Sequence, residues 1–136
     1  MRRPRKHSVP VEHTRRYLEP GPVVLLSTAH RGERGIMTLG WHMMLGYDLV
    51  GTYLWQANRS HALAKRSREC VINLPTDALL DTVVGIGNCS GREGDKFERF
   101  GLTAHAATDV GAPLIAECHA NFECRLHETR ITADYP

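Results

Sequence analysis

The chain has 136 residues, of which 42% are hydrophobic and 24% charged, and its formal net charge is +2. This length and composition suit one globular domain, and no apolar run approaches the roughly 18 residues that a membrane-spanning helix needs. Because no apolar segment follows the basic N-terminus, it does not resemble a secretory signal, and we expect a cytoplasmic protein.

The charge is unevenly distributed along the chain. Residues 1–16 carry six Lys or Arg and one Glu, whereas the remainder carries eleven Lys or Arg and fourteen Asp or Glu. A basic arm can contact nucleic acid, but this one has no aromatic residue before Tyr17 and no recognition motif follows it. We therefore expect 1–16 to be a disordered arm and 17–136 to form the domain, with nucleic acid the least favoured partner.

Apolar runs rich in β-branched and aromatic residues predict strands, which cover 22–28, 36–45, 49–56, 70–75 and 119–127. A helix capped by Asn58 or Ser60 precedes the fourth strand, and two more helices, over 76–87 and 95–101, follow it. Since the first three strands are joined by short turns, the order predicts a mainly β fold. An antiparallel sheet or small barrel with flanking helices is expected.

Two buried faces follow from the periodicity of the apolar residues. The helix over 76–87 is expected to bury Leu79, Leu80, Val83 and Val84. The last strand alternates strictly and is expected to bury Ala120, Phe122, Cys124 and Leu126. The residues between them, Asn121, Glu123 and Arg125, are expected to face outward.

The four cysteines, Cys70, Cys89, Cys118 and Cys124, form no C-x-x-C pair and match no common zinc spacing. We expect reduced thiols, with Cys70 and Cys124 acting as small buried apolar groups in strands. No metal site is predicted.

The stretch "GIGNCSGREGDKF", residues 85–97, has the composition of a nucleotide-phosphate loop. The dinucleotide fingerprint G-x-G-x-x-G would require glycine where Ser90 stands, and its glycines would open a helix rather than end one. The P-loop requires G-K-[ST], whereas Lys96 lies in "DKF". Spacing alone therefore predicts a helix end followed by a connector.

Two other stretches are candidates for ligand contact. In "WQANRSHAL" a strand leads into a helix, whose first turn favours an anion, and Arg59 adds a bidentate phosphate donor. An ordinary capped helix with an exposed arginine is the alternative. In "IMTLGWHMM", Gly40 would let a flat ligand approach beside Trp41 and His42, and core packing is the alternative.

Together, five stretches resemble the flavin reductase-like family of FMN-binding split-barrel proteins. They cover roughly 16–126 and are "RYLEPGPVVLLST", "IMTLGWHMML", "NRSHALAKRSRECVINLP", "VVGIGNCSGREGDKFERFGLT" and "APLIAECHANFECRL". The resemblance implies an FMN-binding split β-barrel, antiparallel with flanking helices, that forms a homodimer. It also implies NADH or NADPH as the hydride donor.

The resemblance implies three groups of FMN contacts. The strand at the isoalloxazine ring would contribute Met37, Thr38, Leu39 and Gly40, with Trp41 beside it. The turn that holds the phosphate would contribute Asn58, Arg59, Ser60 and His61, and the glycine loop would contribute Gly91, Arg92 and Lys96. No residue is assigned as a catalytic acid or base.

Departures from the family leave two functions open. Gly35 and Gly40 stand where the family often has Asn and Ser, and family members usually continue beyond this chain with further barrel strands and dimer contacts. The first hypothesis is an FMN-dependent oxidoreductase that transfers hydride from NAD(P)H to flavin. The alternative is a non-catalytic flavin-binding protein that lacks the closing strands.

Overall fold

A computed structural model describes residues 21–130. Its strands are β1 Val24–His30, β2 Glu33–Leu39, β3 His42–Met44, β4 Val50–Thr52, β5 Glu69–Leu74, β6 Ala104–His105, β7 Leu114–Ile115 and β8 Ala120–Arg125. Its helices are α1 Arg59–Ser67, α2 Leu80–Gly87 and α3 Lys96–Arg99, and a 3₁₀ turn, Asp77–Leu79, leads into α2. The predicted arm, 1–16, lies outside the described residues.

The main sheet has the strand order β2-β1-β5-β8, and every pairing in it is antiparallel. A two-residue turn joins β1 to β2, with Arg31 at φ 49 and Gly32 at φ 82, and His30 pairs with Glu33 across it. Positive φ at both positions is the type I′ geometry, whose twist suits a hairpin. Two small antiparallel pairs, β3 with β4 and β6 with β7, complete the strands.

This arrangement confirms the prediction of a mainly β, antiparallel fold with flanking helices. Within residues 21–130 the strands do not close into a barrel. The same residues include no helix that is long and apolar enough to cross a membrane.

The single strand predicted over 36–45 is wrong. β2 ends at Leu39, which pairs with Val24 at the first position of β1, so the strand has no partner beyond that point. The chain then passes Gly40 and Trp41 and pairs β3 with β4 instead. The strand predicted over 49–56 is correspondingly short, because only Val50–Thr52 pairs with β3.

One face of the main sheet is closed by α2, α3 and the β6–β7 pair. The buried residues on this side are Leu25, Ile36, Val83, Ile86, Phe97, Leu102, Ile115 and Cys118. The predicted apolar face of α2 is only half right, because Leu80 is 65% exposed and Val84 is 54% exposed. The 3₁₀ turn and α2 instead direct Leu79, Val83 and Ile86 toward the core. Their spacing of four and three residues places them on one face of the helix.

The opposite face is only partly covered. Its buried members are Val24, Leu26, Leu39 and Ile72, and the β3–β4 pair contributes Val50. Phe122, expected to be buried, is 51% exposed because β8 is the edge strand of the sheet.

Asn121 was expected to face solvent, and that prediction is also wrong. Its amide donates to Asn73 Oδ1 at 2.7 Å and to the Ile115 carbonyl at 3.2 Å. Asn73 is fully buried and in turn donates to the Leu25 carbonyl at 2.9 Å. A buried amide needs such partners, so Asn121 lies on the inner side of β8.

Candidate functional site

The first part of the candidate site is the N-terminal end of α1. Asn58 occupies the N-cap position with φ −70 and ψ 135, and its own N–H bonds to the Trp55 carbonyl at 3.0 Å. Within the described residues, the Asn58 side chain accepts no hydrogen bond from that turn. Unpartnered amides and the helix dipole together favour an anion at this end of α1.

Arg59 connects this turn to the glycine loop, residues 87–95. Its Nη1 donates to the Gly91 carbonyl at 2.6 Å, and its Nη2 donates to Glu33 Oε2 at 3.3 Å. A Cβ added at Gly91 would lie 3.5 Å from Arg59 Cβ and Cδ, so the loop backbone packs along the arginine stem. These contacts fix the Arg59 guanidinium between the glycine loop and Glu33.

Arg92 makes a second connection between the loop and the turn. Its Nη2 donates to the Ala57 carbonyl at 3.2 Å, and its backbone N–H donates to Ser90 Oγ at 3.2 Å. Two guanidinium groups, from Arg59 and Arg92, thus flank the chain segment that opens α1. This concentration of positive charge suits a phosphate group.

Ser60 and His61 follow Arg59 in the first turn. The Ser60 side chain is 3% exposed and lies between α1 and β2, where a Cβ added at Gly35 would be 3.5 Å from its Oγ. His61 is half-buried. The Ser60 side chain therefore contributes to packing, and its backbone remains part of the turn.

Lys96 points into the protein interior rather than toward the first turn of α1. It is 5% exposed, and its Nζ donates to the Ile86 carbonyl at 2.8 Å. Burial lowers the pKa of this amine, an effect that the nearby Cys89 thiol opposes. Lys96 therefore supports the loop from inside, at the end of α2.

A further group of residues holds the loop in place and was not predicted from the sequence. Asp95 Oδ1 accepts the Phe97 N–H at 2.8 Å, while its Oδ2 accepts from Arg34 Nε at 2.6 Å. The Arg34 guanidinium lies 4.7 Å from the Phe97 ring centroid. The Asp immediately before "KFER" is an N-cap signal that could have indicated this role.

The outer edge of β2 forms the other end of the site. Because His30 and Glu33 close a two-residue hairpin, the backbone groups of Arg34, Ile36 and Thr38 point away from β1. No strand of residues 21–130 pairs with that edge. A Cβ added at Gly40 would meet nothing within 4 Å, so there is open space at the end of the strand.

The side chains of this segment alternate between two environments. Thr38 Oγ1 donates to the Val83 carbonyl at 2.6 Å, on the side of α2. Leu39 is buried on the opposite face of the sheet, with Met37 packed against the same cluster. Among the predicted strand residues, Thr38 and Gly40 therefore line the open edge, whereas Met37 and Leu39 do not.

Trp41 lies beyond the end of β2. Its ring is 5.3 Å from that of Tyr53, centroid to centroid, and the two planes are tilted by 53°. His42 Nε2 lies 2.7 Å from the Pro22 carbonyl. The aromatic pair forms a wall at this end, while His42 is held by the backbone.

The glycine loop spans the two ends of the site. A Cβ added at Gly87 would lie 3.4 Å from Thr38 Cβ, whereas Gly91 contacts Arg59. Four residues of chain reach at most about 14 Å, so Thr38 and Arg59 lie within range of one small ligand. The glycine loop thus contacts β2 at Gly87 and α1 at Gly91, and the region between these two contacts is hereafter called the β2–α1 groove. No group of three or more His, Cys, Asp or Glu side chains that could hold a metal occurs in the part described.

Comparisons with known proteins agree with this architecture. Residues 15–135 match the family model of the flavin reductase like domain. An uncharacterised protein of Archaeoglobus fulgidus is 34% identical over 102 residues, which cover 74% of this chain and 58% of that protein. The chain therefore spans less than two thirds of the length of this relative.

Two solved structures share the fold. Flavoredoxin from Methanosarcina acetivorans superposes with a TM-score of 0.81 at 22% identity, covering 96% of this chain and 69% of that one. An FMN-binding protein from Thermus thermophilus also has a TM-score of 0.81, at 21% identity, covering 98% of this chain and 73% of that one. Because the family model matches residues 15–135, most of the chain, this chain belongs to the flavin reductase-like family.

Proposed function

We propose that this protein binds FMN in the β2–α1 groove and transfers hydride from NADH or NADPH to the flavin. The observation that carries the proposal is the connection of Arg59 to Gly91 at one end and the contact of Gly87 with Thr38 at the other. These contacts join an anion-binding turn and an open strand edge within the reach of one mononucleotide. Family membership and the FMN-binding protein from Thermus thermophilus support the identity of the cofactor.

The residues present fit the two chemically different parts of FMN. The phosphate would be held by Arg59 and Arg92 together with the first-turn amides of α1, which include those of Ser60 and His61. The ring would lie along the outer edge of β2, where Thr38 presents a backbone N–H and C=O and Gly40 presents no side chain. Asn58 forms the N-cap of the turn, and Gly91 lets the glycine loop pack against Arg59.

The reaction would depend on binding and orientation rather than on an acid or base from the protein. When bound, FMN supplies the hydride acceptor. The N–H groups at the β2 edge would donate to the ring edge that becomes electron-rich on reduction. His42 is held against the Pro22 carbonyl, so its geometry gives no reason to assign it a proton-transfer role.

A homodimer is part of the same proposal. The β3–β4 hairpin exposes apolar side chains, namely Met43, Met44, Leu45 and Tyr47. Exposed apolar clusters of this kind mark contact surfaces. A second subunit would cover them.

One specific observation favours the second candidate, a flavin-binding protein without turnover. Within residues 21–130 the strands do not close into a barrel, so the described part of the chain lacks the closing strands that a complete split barrel would have. Such a protein would hold FMN but would not react with NADH or NADPH at catalytic rates.

An anaerobic absorbance titration separates these candidates. The purified protein is first loaded with FMN, freed of excess flavin, and then mixed with NADH or NADPH while the flavin band is followed. The proposed reductase predicts a bound flavin band that bleaches when NADH or NADPH is added. An electron acceptor added afterwards should restore the band and sustain many turnovers of nicotinamide oxidation. A bound band that persists would establish the second candidate, and a folded protein that binds no FMN would contradict both.

A further inference from the structure

Two of the four cysteines face each other across the main sheet. Cys70 in β5 and Cys124 in β8 are direct partners in the antiparallel register. The Leu126 N–H donates to the Arg68 carbonyl at 2.8 Å, which makes Arg68 and Leu126 a hydrogen-bonded pair. The two-residue alternation of the ladder then makes Cys70 and Cys124 the next such pair, with Cα atoms about 5.5 Å apart.

This separation suits a covalent link between the two side chains. Disulfides join residues whose Cα atoms are about 4.4–6.8 Å apart, and directly opposite residues project from the same face of a sheet. The Cβ atoms of opposite residues are about 4.5–5.5 Å apart, so they must approach to about 3.5–4.5 Å for the bond to close. Both cysteines are free and half-buried. The sequence had indicated two separate buried apolar groups, so their pairing is a product of the fold.

The two thiols differ in acidity. Hydrogen bonding with Cys70 lowers the pKa of Cys124 to about 7, and the backbone N–H of Ile72 contributes to the same shift. The same interaction and burial raise the pKa of Cys70. Hydrogen bonding within the pair therefore favours ionisation of one thiol while its partner stays protonated, and a thiolate is the nucleophilic form of cysteine.

A small reactant can approach this pair from one side. Within residues 21–130 β8 is the edge strand, and Phe122, two residues from Cys124 on the same face, is 51% exposed. Cys118 offers the opposite case, because it is buried and its burial raises the pKa to about 11. Cys89 lies in the glycine loop, where its thiol donates to the Ile86 carbonyl at 3.7 Å.

We propose that Cys70 and Cys124 form a redox-active dithiol that reduces small-molecule disulfides and closes a reversible cross-strand disulfide between β5 and β8. The Cys124 thiolate attacks one sulfur of the disulfide RSSR, forming Cys124–S–S–R and releasing RS⁻. Cys70 then loses its proton to water and attacks Cys124 Sγ, which releases the second RS⁻. The two thiols are oxidised by two electrons and RSSR is reduced to two thiols, independently of flavin binding.

The direct test uses oxidised glutathione with the full-length chain at neutral pH, followed by acid quenching and non-reducing peptide mapping. A background variant, Cys89→Ser with Cys118→Ser, retains only the pair. The expected product is a peptide linked between residues 70 and 124, and dithiothreitol should reverse the link. A glutathione adduct that persists on Cys124 while Cys70 is present would overturn the proposal, as would failure of Cys124 to react in the folded protein.

Two variants add a readout that a structural role would not change. In Cys70→Ala, Cys124 should retain a stable glutathione adduct, and its alkylation by iodoacetamide should slow several-fold at neutral pH because the lowered pKa is lost. In Cys124→Ala, Cys70 should stay unmodified. Alkylation of Cys124 with the same pH profile in wild type and Cys70→Ala would contradict the assigned roles. If either alanine variant fails to fold, peptide mapping of the background variant still tests whether the 70–124 disulfide forms.

Discussion

The two ends of the β2–α1 groove would contact the proposed ligand by different means. At the α1 end, Arg59 and Arg92 are fixed by carbonyl groups of the loop and turn, and these long charged side chains would supply the contacts. At the β2 end, the backbone of Thr38 and the open space at Gly40 would supply them. Side-chain substitutions should therefore alter binding strongly at the first end and weakly at the second.

The α1 end also contains an opposing charge. Glu33 Oε2 lies 3.3 Å from Arg59 Nη2, and the Glu33 side chain is 59% exposed. A phosphate in the turn would share Arg59 with this carboxylate. The affinity at this end is thus a balance between two guanidinium groups and one acidic neighbour.

Replacing Arg59 should have the largest effect on ligand affinity. Arg59→Ala removes a charge-assisted hydrogen-bond donor, and we expect FMN binding to weaken by about 1.5–3 kcal/mol. The dissociation constant can be measured by quenching of flavin fluorescence. Arg66→Ala, on the exposed last turn of the same helix, is the matched control and should leave affinity unchanged. An unaltered affinity in folded Arg59→Ala would remove this residue from the phosphate site.

Gly85, within α2, and Gly40, at the β2 end of the groove, should differ in their effect on stability. A Cβ added at Gly85 would lie 2.6 Å from Phe100 Cε1, so Gly85→Ala should lower the free energy of unfolding by about 1–3 kcal/mol. Gly40→Ala meets open space and should change stability by less than about 0.5 kcal/mol. Urea denaturation measures both values. Equal stability losses would show that the space around these glycines has been misassigned.

Thr38 should report on the β2 end with a smaller effect. Thr38→Val keeps the shape of the side chain but loses the 2.6 Å bond to the Val83 carbonyl. We expect a stability loss of about 0.5–1.5 kcal/mol, and a loss of FMN affinity smaller than that in Arg59→Ala, because the backbone edge is retained. Urea denaturation and flavin titration of the same sample would test both. An affinity loss larger than that of Arg59→Ala would reverse the comparison of the two ends.

Neutralising Glu33 should give the smallest change and the opposite sign. Glu33→Gln removes the carboxylate beside Arg59, so FMN affinity should rise by about 0.2–1 kcal/mol at low salt and less at high salt. The remote Glu128→Gln serves as the control. If Glu33→Gln weakens binding at low salt, the carboxylate positions Arg59 for the ligand rather than competing with it.

Local features of the fold and of the candidate site could be predicted from the sequence, whereas long-range contacts could not. The start of α1 was predictable because its N-cap residue, Asn58, and the helix-forming residues that follow it are adjacent in sequence. The contacts of Arg59 with Glu33 and of Arg34 with Asp95 were not, because folding joins residues far apart in the chain. The inward direction of Lys96 depends on the end of α2, and no periodicity in "DKF" encodes it.

Edge effects explain the remaining errors. Alternation in β8 predicted which residues share a face, but it could not show that Phe122 lies on the open side or that Asn121 bonds to the buried Asn73. Alternation likewise could not place Cys70 opposite Cys124, because register is a property of the paired strands.

Arg59 and the first turn of α1 are proposed to hold the phosphate of FMN. The most direct test compares the dissociation constants of FMN and riboflavin, which differ only in that phosphate, for the wild-type protein and Arg59→Ala. We expect the wild type to favour FMN by at least about tenfold, a difference of about 1.4 kcal/mol, and the preference to fall toward unity in the variant. The same preference in both folded proteins, or none in the wild type, would contradict the claim.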